Sequence, residues 1–232
     1  MTAATVGSRI LAALARVRDP ELDEPITTLG FVASASIGAD GTAEVHLRLP
    51  TYFCAPNFAY LMVADAYDAV SALDEVRRTT VILDDHFASG AINDGVAARS
   101  GFVGSFEGEA VDELDSLRAD FLRKAVLAGT DTVCRRLRLS PAHLAAVVLG
   151  DLPPSEALDR LRRRRRELGL PAGDDDLLLI DPLTGAPIGA DSVPLHLRKA
   201  RLTRTSLDAN TGICRGMLRH RYSTDGEGEE AL

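Results

Sequence analysis

The strictest constraint on this fold is an alternation between Thr42 and Leu49. Ala43, Val45, Leu47 and Leu49 are apolar while Thr42, Glu44, His46 and Arg48 are polar, which is the period-two pattern of a strand with one buried and one wet face. Pro50 stops it, because proline cannot donate to a strand ladder. Upstream, Ile10, Leu11, Leu14 and Val17 share one side of a helix over about 8–17, and Asp19-Pro20 ends that helix because the residue before proline disfavours helical backbone. Thr27, Thr28 and Leu29 then read as a short extended segment closing at Gly30. Downstream, Phe58–Leu73 is an apolar helical run, and Val76–Asp85 is a strand whose Val81-Ile82-Leu83 end reads as interior. Helix, turn, strand, loop, helix and strand in that order predict a small α/β domain of two layers, an α+β arrangement.

The loop after the strand carries a thiol. Thr51-Tyr52-Phe53-Cys54-Ala55-Pro56-Asn57 leads directly into the second helix, and the positive end of a helix favours a thiolate over the free thiol, whose pKa is about 8.5. Cys54 is therefore the candidate nucleophile or soft-metal ligand, the alternative being a small hydrophobe packed in the core. One thiol does not hold an iron-sulfur cluster, which takes four protein ligands; a second chain, a partner or a small thiol would complete the set. His46 reads as a surface histidine on the polar strand face, and Asp84-Asp85-His86 as a solvated turn at a strand end, since three consecutive residues rarely converge on one ion.

The residues Asp19-Pro20-Glu21-Leu22, then Ile26 to Val32, then the threonine and cysteine of the Thr51–Pro56 loop resemble the metal-sulfur cluster assembly domain family, SufT-like and PaaD-like proteins. The resemblance covers about residues 8–90. Asp19, Pro20 and Glu21 match the family's acidic opening, Leu29-Gly30 its leucine-glycine pair, and Thr51 and Pro56 the ends of its Thr-x-x-Gly-Cys-Pro loop. Cys54 stands one position early, with Ala55 where the family has cysteine. The resemblance implies a noncatalytic factor for iron-sulfur cluster assembly or metalloprotein maturation. It implies that Cys54 binds the metal and that Asp19, Glu21, Thr51 and Pro56 support it. It also implies transient iron or an iron-sulfur cluster as cargo, and a client metalloprotein as partner. An oxygenase component is the candidate client and a second copy of the chain the candidate partner in ligation. The competing reading is a nonenzymatic binding or assembly module for a non-heme di-iron monooxygenase, without cluster transfer.

Beyond this domain, taken as 1–90, the sequence predicts a glycine-rich connecting or docking segment at 91–110, a mainly helical accessory region at 111–224 and an acidic tail at 225–232. Phe87–Ala110 mixes glycines and phenylalanines without periodicity and reads as a packed loop. Helices are expected over Val111–Arg138, after the Ser140-Pro141 start signal, from Ser155 to Glu167 and from Ala190 to Leu207. A further short helix is expected to begin at Cys214. Cys134 and Cys214 read as structural.

Arg162–Arg166 are consecutive, so a helix spreads them around its axis and gives them no single groove-facing side; they read as a solvated face. With a formal net charge of -8 and no aromatic residues beside them, nucleic-acid binding is not expected. Three widely spaced cysteines do not make a secreted disulfide scaffold. No apolar run reaches the length of a membrane span, and a cytoplasmic location is the expectation.

Overall fold

The computed structural model describes residues 3–223; the expected acidic tail lies outside the described residues. The chain divides into two compact units, one formed by residues up to Asp115 together with those from Asn210 on, the other by Ser116–Ala209.

The first unit opens with α1 (Ala3–Leu14) and α2 (Ile26–Leu29), continues through β1 (Val32–Ile37) and β2 (Thr42–Leu47) to α3 (Pro56–Ser71) and β3 (Arg78–Leu83), and adds α4 (Ser89–Ala98) and α5 (Gly101–Ser105). The sheet order is β1-β2-β3, with β1 antiparallel to β2 and β3 parallel to it. Parallel neighbours need a crossover, and α3 is that crossover. The alternation read in β2 holds: Ala43 and Val45 are fully buried and Leu47 nearly so, while Glu44 is exposed. Their face joins Ile10, Leu14, Phe31, Val63 and Val70 in one core, which makes this domain mixed α/β, as predicted.

Three local expectations are corrected. Thr27–Leu29 is helical, because Ile26 and Leu29 both turn into the core and Gly30 closes the turn in the left-handed region at φ 80°. A Cβ at Gly30 would also lie 3.1 Å from Leu218 Cδ2. β3 is an edge strand, with only Val81 and Leu83 fully inside. Phe87–Ala110 contains α4 and α5, with Ile92 and Val96 buried in the first unit's core and Phe102 and Phe106 packed against it. Burial of those side chains outweighs the helix cost of the intervening glycines, about 1 kcal/mol each.

The second unit contains α6 (Asp115–Cys134) from Ser116 on, α7 (Pro141–Ala146), α8 (Glu156–Glu167) and the beginning of α9 (Val193–Tyr222). Both predicted N-caps form: Ser140 accepts from the His143 N–H and Ser155 from the Leu158 N–H. Its core gathers Val126, Leu149, Leu161, Leu178 and Val193. The arginine run departs from the solvated reading, since Arg164 is 6% and Arg165 0% exposed. The helix expected to begin at Cys214 is instead the continuation of α9, whose residues from Asn210 on belong to the first unit.

Candidate functional site

The loop between β2 and α3 is shaped from both ends. Pro56 takes the first position of α3, where a missing N–H costs nothing and φ is already helical. Within the loop, Thr51 Oγ1 accepts from the Phe53 N–H at 3.3 Å and lies 3.2 Å from Cys54 Sγ. The turn after β3 pins the loop from outside: the Phe87 N–H donates to the Tyr52 carbonyl at 3.1 Å, and His86 Nε2 donates to the Cys54 carbonyl at 2.7 Å. His86 Nδ1 accepts from the Ala88 N–H. One ring nitrogen donates and the other accepts, so the imidazole is neutral, and burial pushes its pKa below the ordinary value. His86 is a brace for the cysteine loop, with no free nitrogen to serve the thiol as a base. Cys54 itself is half-buried.

The three residues of the Asp84-Asp85-His86 turn go to three different partners. Asp84 meets His46 Nδ1 at 3.1 Å from both carboxylate oxygens, while Glu44 stands 3.2 Å from Nε2. His46 is therefore flanked by two carboxylates, which the sequence reading had not placed beside it, and the Asp84 bond raises its pKa. Asp85 pairs with Arg221, whose Nη2 also donates to the Asp85 carbonyl at 2.7 Å and whose Nη1 donates to the Leu49 carbonyl at 3.1 Å. Arg221 thus ties the strand end before the cysteine loop to the turn behind it.

The acidic turn is built on Asp19, only 8% exposed. Its Oδ1 accepts from the N–H groups of Glu21 and Leu22 at 2.9 and 2.8 Å, the side-chain mimicry of a backbone turn open to aspartate. Burial nevertheless dominates and lifts its pKa from the ordinary 3.8 to about 6. Glu21 accepts from Asn210 Nδ2 at 3.3 Å. One helical turn further along α9, Cys214 packs against the same core as Cys54. Burial pushes the Cys214 thiol up to about 11, and the charges of Asp19, Cys54 and Glu21 act on it in the same direction. The acidic turn and the cysteine loop therefore both address one position of α9.

Asn210, Cys214, Leu218 and Arg221 were not read as part of this site. They are spaced three or four residues apart and so share a helix face, but nothing local announces what that face covers. Cys134 behaves as read: buried in α6, its thiol is pushed up to about 12, chiefly by that burial. Among the described residues, no group of three or more His, Cys, Asp or Glu side chains is placed to hold a metal ion. No helix among them is long and apolar enough to cross a membrane.

Around Cys54 the surface is aromatic. Tyr52, Phe53 and Phe87 are 44%, 76% and 49% exposed, and their ring centroids lie 5.0 to 6.4 Å apart. The three rings form one exposed apolar patch beside the cysteine loop.

No curated protein and no solved structure matches this chain. One protein family does match. Its match takes in the acidic turn, the sheet and the cysteine loop, about a third of the chain, and leaves α4 to α9 as an addition. Residues 8–82, the N-terminal α/β domain, match the family described as iron-sulfur cluster assembly protein.

Proposed function

We propose that this chain is a maturation factor that carries iron or a labile iron-sulfur cluster to a client metalloprotein through Cys54. The observation that supports it most is a half-exposed thiol, held by Thr51 and by the neutral His86 brace, inside the segment that matches the cluster-assembly family. A single thiolate per chain suits a carrier. Four ligands make a stable cluster site, whereas one protein ligand leaves positions for the client or for a second copy and keeps the cargo transferable. Asp19 and Glu21 act in this reading as the acidic neighbours that set the local charge, and Pro56 and Thr51 as the loop's fixed points.

Anaerobic reconstitution with iron and sulfide tests it. Wild type is expected to take up both and develop charge-transfer absorbance, and Cys54→Ser to retain less than about a tenth of either, since the thiolate is the ligand. Equal loading of the two proteins would remove Cys54 from the chemistry.

The aromatic cluster favours a second reading, a module that docks a client without transferring a cluster, for which a non-heme di-iron monooxygenase component is the candidate client. Phe53→Ser distinguishes them. As an exposed residue it should change stability by no more than about 0.5 kcal/mol, leave iron loading intact and slow cluster transfer to an apo acceptor protein several-fold. Slowed transfer supports the carrier with an aromatic docking face; loss of client capture with no cluster on wild type supports the module.

A further inference from the structure

The turn around α2 and the last turns of α9 border an open pocket of about 700 Å³, inside the usual range of small-ligand sites, about 300–1,000 Å³. Thr27, Thr28, Arg48, Arg215, Arg219 and Tyr222 line it. Three arginines line one space, and none of them is in an ion pair among the described residues. Arg48 is held in place: its Nε donates to the Gly30 carbonyl at 3.4 Å and its guanidinium carbon lies 4.8 Å over the Tyr222 ring. Two polar atoms of the lining, Arg215 Nε and the Tyr222 hydroxyl, are buried and have no hydrogen-bond partner. Buried donors are nearly always satisfied in native proteins, and each exception asks for a missing acceptor.

We propose that this pocket binds a small polyanion of the phosphate or carboxylate class. Guanidinium forks match the paired oxygens of both groups, and the threonine hydroxyls of α2 add donors beside them. The site runs against the charge of the whole chain, formally -8, so its attraction for an anion is local to these three arginines and is not a general property of the surface. It is also distinct from cluster handling. Its walls join the Thr27–Gly30 motif of the matched domain to residues of α9 outside the match, so the ligand would bear on how the end of α9 is held over that domain.

Titration calorimetry of the full chain with inorganic pyrophosphate and, separately, citrate tests the site. Saturable binding of at least one probe is expected; which one binds assigns the phosphate or the carboxylate class. Arg219→Ala removes an exposed side chain and should fold normally, yet weaken binding about tenfold or more, the size of a charge-assisted hydrogen bond. Arg215→Lys should also weaken it, since an ammonium lacks the fork, and Thr27→Val by a few-fold. Arg16→Ala, an exposed arginine on the opposite side of the acidic turn in sequence, should leave it unchanged. No saturable binding of either probe, or binding that Arg219→Ala and Arg215→Lys both leave intact, overturns the proposal.

Discussion

Asp19→Asn is expected to stabilise the first unit by up to about 3 kcal/mol at pH 8 and to leave its stability at pH 4 nearly unchanged. The reason is the burial that lifts the Asp19 carboxyl from 3.8 to about 6. Between those values the folded chain holds a proton that the unfolded chain has released. This group's contribution is therefore fully present below about pH 4 and is lost as pH rises through 6, by about 1.4 kcal/mol per pH unit. Asparagine keeps an acceptor for the N–H groups of Glu21 and Leu22 and cannot ionise, so it escapes the loss. Urea unfolding followed by tyrosine fluorescence between pH 4 and 8 measures the difference. All four tyrosines, at 52, 60, 67 and 222, lie in the first unit, and every ionisation common to variant and wild type cancels in the difference. A gap between variant and wild type that stays constant with pH would refute the buried carboxyl.

Arg165→Ala should cost the second unit about 3–5 kcal/mol, the range for breaking a buried charged network. Arg165 is the largest side chain with no solvent exposure. It donates from Nη1 to the Leu177 carbonyl at 2.9 Å and the Pro171 carbonyl at 3.4 Å, and from Nη2 to the Leu178 carbonyl. Burial lowers its pKa to about 10, which still leaves it charged at neutral pH. Truncation strands buried carbonyls and opens a cavity. Arg165→Met refills the volume without the donors and should recover part of the loss. Circular dichroism reads the helices of both units, whereas tyrosine fluorescence reads the first, so the dichroism midpoint should fall further than the fluorescence midpoint. Equal shifts of the two signals in Arg165→Ala would show that the guanidinium does not act within the second unit.

Elements whose cause lies within a few residues were legible in advance. The β2 alternation and the Ser140 and Ser155 caps each follow from side chains next to the backbone they govern. Elements decided by distant burial were not. Phe87–Ala110 has poor local helix propensity and folds as α4 and α5 because Ile92 and Val96 reach the core. The arginine run has a uniform composition, and nothing in it separates Arg165, wholly inside, from Arg163, outside.

The candidate site divides in the same way. Asp19, Glu21, Thr51, Cys54 and Pro56 were nameable because a turn, a loop and a helix start are local chemistry, and because their order along the chain carries the family resemblance. The His86 brace, the carboxylates flanking His46 and the approach of Asn210, Cys214, Leu218 and Arg221 to the acidic turn and cysteine loop join residues up to 189 positions apart. Periodicity reports which face of an element is apolar; which other element covers that face is settled only when the whole chain minimises its exposed apolar surface and pairs its buried polar groups.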